Sequence, residues 1–177
     1  IKFSKKPKTI ILPINKLLRG GENGIRAYKY AEITNEFLRP STPVSDGPHV
    51  ELLKHYKNIG NEIFKKETFI ETPYYKNALT SMLLCGSQFY SEPSYIIKVA
   101  KRFVRQYNGE DLSKLPQQPG QSAPGHPIIV RSIRDSSFYE VIDGNHRIAI
   151  AYMKGKKHVN VCLIDEEEVY TPLQRLL

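Results

Sequence analysis

The stretch FYEVIDGNHRIAIAYMKG, residues 138–155, decides how the chain is read. A β-branched and aromatic run, FYEVID, breaks at Asp143-Gly144 and resumes as a helical run whose first turn carries Asn145, His146 and Arg147. Glycine at the end of a strand lets the backbone turn sharply. The helix that follows offers unpaired N–H groups and the positive end of its dipole, which together make an anion site. Arg147, three residues past Gly144, can add a bidentate grip on a phosphate. His146 can donate to the same phosphate or move a proton. Asp143 would repel such an anion unless a proton or metal intervenes, and Mg²⁺ removes the conflict. The same residues also suit a plain helix start, with Asp143 as N-cap, Arg147 paired to a glutamate and His146 on the surface. Both readings stand on the residues alone.

Working outward, HPIIVRSI reads as a strand before this stretch, RDSS as a turn, and HVNVCLID as a strand after it. Near the start, TIILPI (9–14) is a short apolar strand closing at Pro13, and the glycines of 19–24 mark a loop. The segment RPSTPVSDGPHV punctuates the chain, with Ser45 or Asp46 as N-cap of a helix beginning near Pro48. From there to Tyr107 the period is helical. Leu52, Leu53, Tyr56 and Ile59 form one stripe, and TPYYKNALTSMLLCG forms a helix ending at Gly86. In SYIIKVAKRFVRQY, Ile96, Val99 and Phe103 share a face, while Lys98, Lys101, Arg102 and Arg105 populate the other side. A Pro/Gly/Gln/Ser-rich loop fills 108–127. Strand, helices, then strand–strand–helix–strand predicts an α+β fold.

Composition sets the bounds. The chain has 177 residues, 40% hydrophobic and 25% charged, which suits one globular domain. No apolar run approaches the length of a membrane span, and the N-terminus lacks a signal-peptide core, so a cytoplasmic protein is expected. It begins with Ile rather than Met, as a trimmed or excised domain would. Cys85 and Cys162 lie in apolar contexts without metal-ligand spacing and read as buried free thiols. A net charge of +8 favours an anionic partner without selecting among nucleic acid, nucleotide and acidic glycan.

The stretch VIDGNHRIAIAYMKGKKHVNVCLI resembles the core of the ParB/sulfiredoxin-like superfamily, in which a strand enters a G-x-x-R phosphate-binding turn and a helix, followed by another strand. Gly144 and Arg147 match that turn. Ile150 stands where the family often has a small alanine, with Ala149 and Ala151 on either side. Sulfiredoxins place a catalytic cysteine before His-Arg; Asn145 is there instead, which argues against sulfinic acid reduction. Partition proteins carry a downstream helix-turn-helix, for which the residues after Asp165 leave no room in this sequence. The nucleotide-dependent free serine kinases of the superfamily are similar in carrying Asp-Gly-x-His-Arg. They also place a catalytic glutamate after a Pro-x-x-x-Leu segment, and Pro13, Leu17 and Glu22 stand at comparable spacing.

The resemblance implies a single domain over 1–177, with a core of 1–24 and 94–165 and a helical insertion at about 45–92. It implies a kinase that moves a phosphate from ATP or ADP, with Mg²⁺, to a small-molecule or sugar hydroxyl. Gly144, Asn145, His146 and Arg147 would bind the nucleotide phosphates, aided by Lys98 and Arg102. Asp143 would orient the metal, and Glu22 would act as general base. In the insertion, Asp46, His49, Thr72, Tyr74 and Tyr75 read as caps and core aromatics more readily than as ligands. Two alternatives remain: a ParB-like nucleic-acid-binding or nuclease domain, and a nucleotide-binding module without turnover. Nucleic acid lacks the support of a zinc-finger, helix-turn-helix or RNA-recognition motif.

Overall fold

The computed structural model describes residues 8–19, 42–85, 93–112, 126–133 and 135–164; of residues 80–85 only the backbone is described. Glu22, Gly86 and most of the 108–127 loop lie outside these. The fold is α+β and divides into two compact units, one of residues 1–47 and 127–177, the other of residues 48–126. The basic helix assigned to the core from sequence groups with the second unit.

The first unit is built on a five-stranded mixed sheet in the order β1-β5-β3-β4-β2. Its strands are β1 (Lys8–Pro13), β2 (Leu17–Leu18), β3 (Ile129–Ser132), β4 (Tyr139–Asp143) and β5 (His158–Ile164). β1 runs antiparallel to β5, β5 parallel to β3, β3 antiparallel to β4, and β4 parallel to β2. Consecutive strands β1 and β2 therefore occupy opposite edges, joined only by a 3-10 turn, Ile14–Lys16. In a flat sheet those edges would lie about 19 Å apart, at about 4.8 Å per strand interval. The four steps from Pro13 to Leu17 reach at most about 14 Å even when fully extended. The sheet is accordingly curled.

The central strands are buried on both faces, which is why HPIIVRSI and FYEVID read as apolar runs rather than clean alternations. Val130 pairs across β3 and β4 with Val141. On the opposite face Ile129, Cys162 and Ile164 pack together with Ile142 against them. Cys162 is a buried free thiol, as its apolar context predicts, and burial pushes its pKa up. The same face holds a pair that the sequence reading passed over. Arg131 and Glu140 sit opposite each other in the β3–β4 register, fully buried and joined by a hydrogen-bonded ion pair.

The second unit is helical: α1 (Pro48–Ile59), a 3-10 turn Gly60–Phe64, a short α2 (Lys66–Phe69), α3 (Pro73–Cys85) and α4 (Pro93–Tyr107). Ser45 and Asp46 are not the cap of α1. They fold into a 3-10 turn, Val44–Asp46, and Gly47 stands directly before Pro48. Thr72 does cap α3. Its hydroxyl donates to the Phe69 carbonyl at 2.7 Å and accepts from the Tyr75 N–H at 3.2 Å, with Pro73 in the first helical position. Tyr74 stacks on Phe103 at 6.1 Å, and His49 meets Tyr74 edge-on at 5.4 Å. Leu52 and Leu53 are buried, but Ile59 is 40% exposed: α1 ends there, and its last residue leaves the stripe. Among the described residues no helix is long and apolar enough to cross a membrane.

Candidate functional site

The junction of β4 with helix α5 (Asn145–Met153) brings Asp143, Gly144, Asn145, His146 and Arg147 into one turn. Its pivot is Gly144, at φ +123°. That conformation is one L residues rarely adopt, and the space for a side chain is tight as well. A Cβ on Gly144 would lie 3.0 Å from two carbons of Ile128 and 3.2 Å from a third. Leaving β4 and entering the helix in this way therefore strongly favours glycine at this position.

The first helical bond runs from the Ile148 N–H to the Gly144 carbonyl, at 3.0 Å. It leaves the N–H groups of Asn145, His146 and Arg147 outside the helix's own ladder, with no side-chain cap from Gly144. Asn145 adds a second polar group. Its Oδ1 is buried without a hydrogen-bond partner, a costly state for an amide. A half-turn of that amide would place its NH₂, a donor, in the same position.

Arg147 and Asp143 are each about one-third exposed and approach to 3.8 Å, one helical turn apart. Arg147 Nη2 also donates to the Pro127 carbonyl at 3.3 Å, which ties the guanidinium to the segment entering β3. Partial burial lowers the pKa of Arg147 from its ordinary value, and the Asp143 carboxylate opposes that shift. His146 departs most from expectation. Withdrawal from water lowers its pKa to about 4; the Asp143 charge resists that shift and the Arg147 charge adds to it. At neutral pH the imidazole is uncharged, so in the absence of ligand His146 is not the cationic donor that its place beside a phosphate would suggest.

Lys98 and Arg102 stand on α4 in the second unit. Glu22 lies outside the described residues. Among the described residues no group of three or more His, Cys, Asp or Glu is placed to hold a metal ion. The Arg131–Glu140 pair had a legible signal, since each charge interrupts an otherwise apolar strand (IIVRSI and YEVI). Burial drives the Glu140 carboxyl up to about 7, although the Arg131 charge and hydrogen bond pull it down. No protein-family model, no curated protein and no solved structure matches this chain.

Proposed function

We propose that the chain is a phosphotransferase on a ParB/sulfiredoxin-like core, with the Gly144 turn as its nucleotide-phosphate site. The observation that carries this reading is the Gly144 backbone itself. A positive-φ glycine packed against Ile128 opens a helix whose first N–H groups face outward from the ladder, with Arg147 one turn away. A bound phosphate would accept from those N–H groups and from the guanidinium. Its negative charge would also raise the pKa of His146 towards the range in which an imidazole carries a proton.

Mg²⁺ fits a turn with one carboxylate. In phosphoryl transfer this ion takes one or two protein carboxylates and completes its shell with phosphate oxygens and water, and needs no all-protein cage. Asp143 would hold it. When bound, it would offset charge on the phosphates, and it would separate Asp143 from the anion it otherwise repels. Glu22 would accept the proton of an acceptor hydroxyl. As the new O–P bond forms, the bond to the bridging oxygen breaks and the nucleotide leaves one phosphate shorter. A small-molecule or glycan hydroxyl is assigned to the acceptor. Such an enzyme belongs in the cytoplasm, where ATP and Mg²⁺ are plentiful.

Calorimetry with ATP, ADP and CTP, with and without Mg²⁺, tests the site. Binding should be measurable and should fall at least tenfold in Arg147→Ala. If no nucleotide binds, the reading is wrong. Glu22→Ala should retain binding and lose transfer; transfer that survives removes Glu22 as the base. Nucleotide binding with no turnover on any hydroxyl acceptor would leave the non-catalytic module instead.

A further inference from the structure

The second unit carries a groove that shares no residue with the Gly144 turn. It has a volume of about 580 Å³ and is lined by Tyr56, Phe64, Lys65, Lys101, Arg105 and Glu110, among others. Tyr56 comes from α1, Phe64 and Lys65 from the turn after it, and Lys101 and Arg105 from α4.

The groove joins two kinds of group. One is aromatic: the Tyr56 and Phe64 rings lie 6.3 Å apart, and Asn108 Nδ2 donates to the Tyr56 hydroxyl at 3.1 Å, which fixes that ring. The other is cationic. Lys101 Nζ lies 5.8 Å from the centre of the Phe64 ring, within reach of cation–π attraction. Arg105 Nε donates to Glu110 at 2.7 Å, which uses one of five guanidinium donors. Lys65 pairs with Glu62 outside the lining. The lining therefore sets three cations against one carboxylate.

The positive charge continues past the groove. Helix α4 contains no acidic residue, and Lys98, Lys101, Arg102 and Arg105 fall at i, i+3, i+4 and i+7, on one face. At about 1.5 Å per residue the row is about 10 Å long, more than a single phosphate would occupy.

We propose that this groove and the α4 row bind a single-stranded nucleic-acid segment. Phosphates would follow the cations, and a base would stack against the Tyr56–Phe64 pair, the combination by which such strands are held without sequence preference. An acidic peptide would satisfy the cations but leave the rings unused. A duplex keeps its bases stacked inside and would do the same. The inference rests on the second unit alone and stands whether or not the Gly144 turn binds nucleotide.

The test is fluorescence anisotropy with labelled DNA and RNA oligonucleotides of about 12 nucleotides, within the site size of known single-strand binders. Log affinity should fall linearly with log salt, with a slope of roughly −2, about −0.7 for each of three phosphates contacted. Lys65→Gln and Lys101→Gln, both at exposed positions, should each weaken binding several-fold and reduce the slope by about 0.7. Tyr56→Leu should weaken binding about tenfold, as expected for loss of one stacked base, with the slope unchanged. The proposal is overturned if no oligonucleotide binds at low salt, if the lysine variants bind like the parent, or if a duplex of the same length binds equally well. It is also overturned if ATP binds the groove as tightly as the strand does, which would make it a mononucleotide site. Loss of strand binding in Arg147→Ala with the groove variants unaffected would move the strand to the Gly144 turn and overturn it as well.

Discussion

Gly144→Ala isolates the geometric demand on which the candidate site depends. Two penalties act on the new methyl group. The first is conformational: at φ +123° an L residue sits in a sparsely populated region, which costs of order 1–3 kcal/mol. The second is steric. The Cβ would meet two Ile128 carbons at 3.0 Å and a third at 3.2 Å, tighter than most Cβ contacts, so Ile128 must give way, and such overpacking costs about 1–2 kcal/mol here. Together they predict a loss of roughly 2–5 kcal/mol in the unit that holds the turn.

Because the chain divides into two compact units, a single global transition is the wrong readout. Urea unfolding followed by hydrogen exchange of peptides covering 138–155 reports on the turn itself. Ile128→Ala separates most of the steric penalty from the conformational one, because it removes the two carbons at 3.0 Å, keeps only the Cβ at 3.2 Å and leaves φ unchanged. In a double-mutant cycle the coupling should be about 1–2 kcal/mol, the steric part, and the conformational part should persist. A loss below about 0.5 kcal/mol in Gly144→Ala would refute the reading that the turn requires glycine. Full rescue by Ile128→Ala would refute the conformational half alone.

Three further outcomes follow from the same geometry. Glu140 has its pKa raised by burial from 4.5 to about 7, so its contribution to stability is present below pH 4.5 and lost as pH rises through about 7. Glu140→Gln should lack this pH dependence, so the stability of the variant relative to the parent should rise between pH 5 and pH 8, which urea denaturation at the two pH values checks. His146 shifts the other way, from 6.5 to about 4, so its stabilisation is present above pH 6.5 and lost as pH falls towards 4. NMR titration should place its midpoint near 4 in the free protein and higher with nucleotide; a midpoint near 6.5 without ligand would contradict the burial of the ring. Thr72→Ala removes the α3 cap and should cost about 0.5–2 kcal/mol, with Thr72→Ser restoring most of it.

The parts of the fold that sequence disclosed are those whose cause is local. FYEVID, Gly144 and IAIAYM specify strand, turn and helix from neighbouring residues, and α3 and α4 follow from apolar spacing within one helix. β2 has no such local cause. Leu17–Leu18 is too short to show a period, and it is a strand only because Tyr139 and Glu140, remote in sequence, supply a parallel partner. The Arg131–Glu140 pair is legible as two charges in apolar strands, but that they face each other follows from the β3–β4 register and the bulge between Ile129 and Val130. His146 shows the same division within a single site. Its place in the turn follows from its position two residues after Gly144, whereas its uncharged state follows from withdrawal from water by the packing around it. The geometry of the turn is thus set by local sequence and the proton state of its histidine by tertiary burial. A bound anion is the agent that would couple the two, because its negative charge would favour the protonated imidazole that burial disfavours.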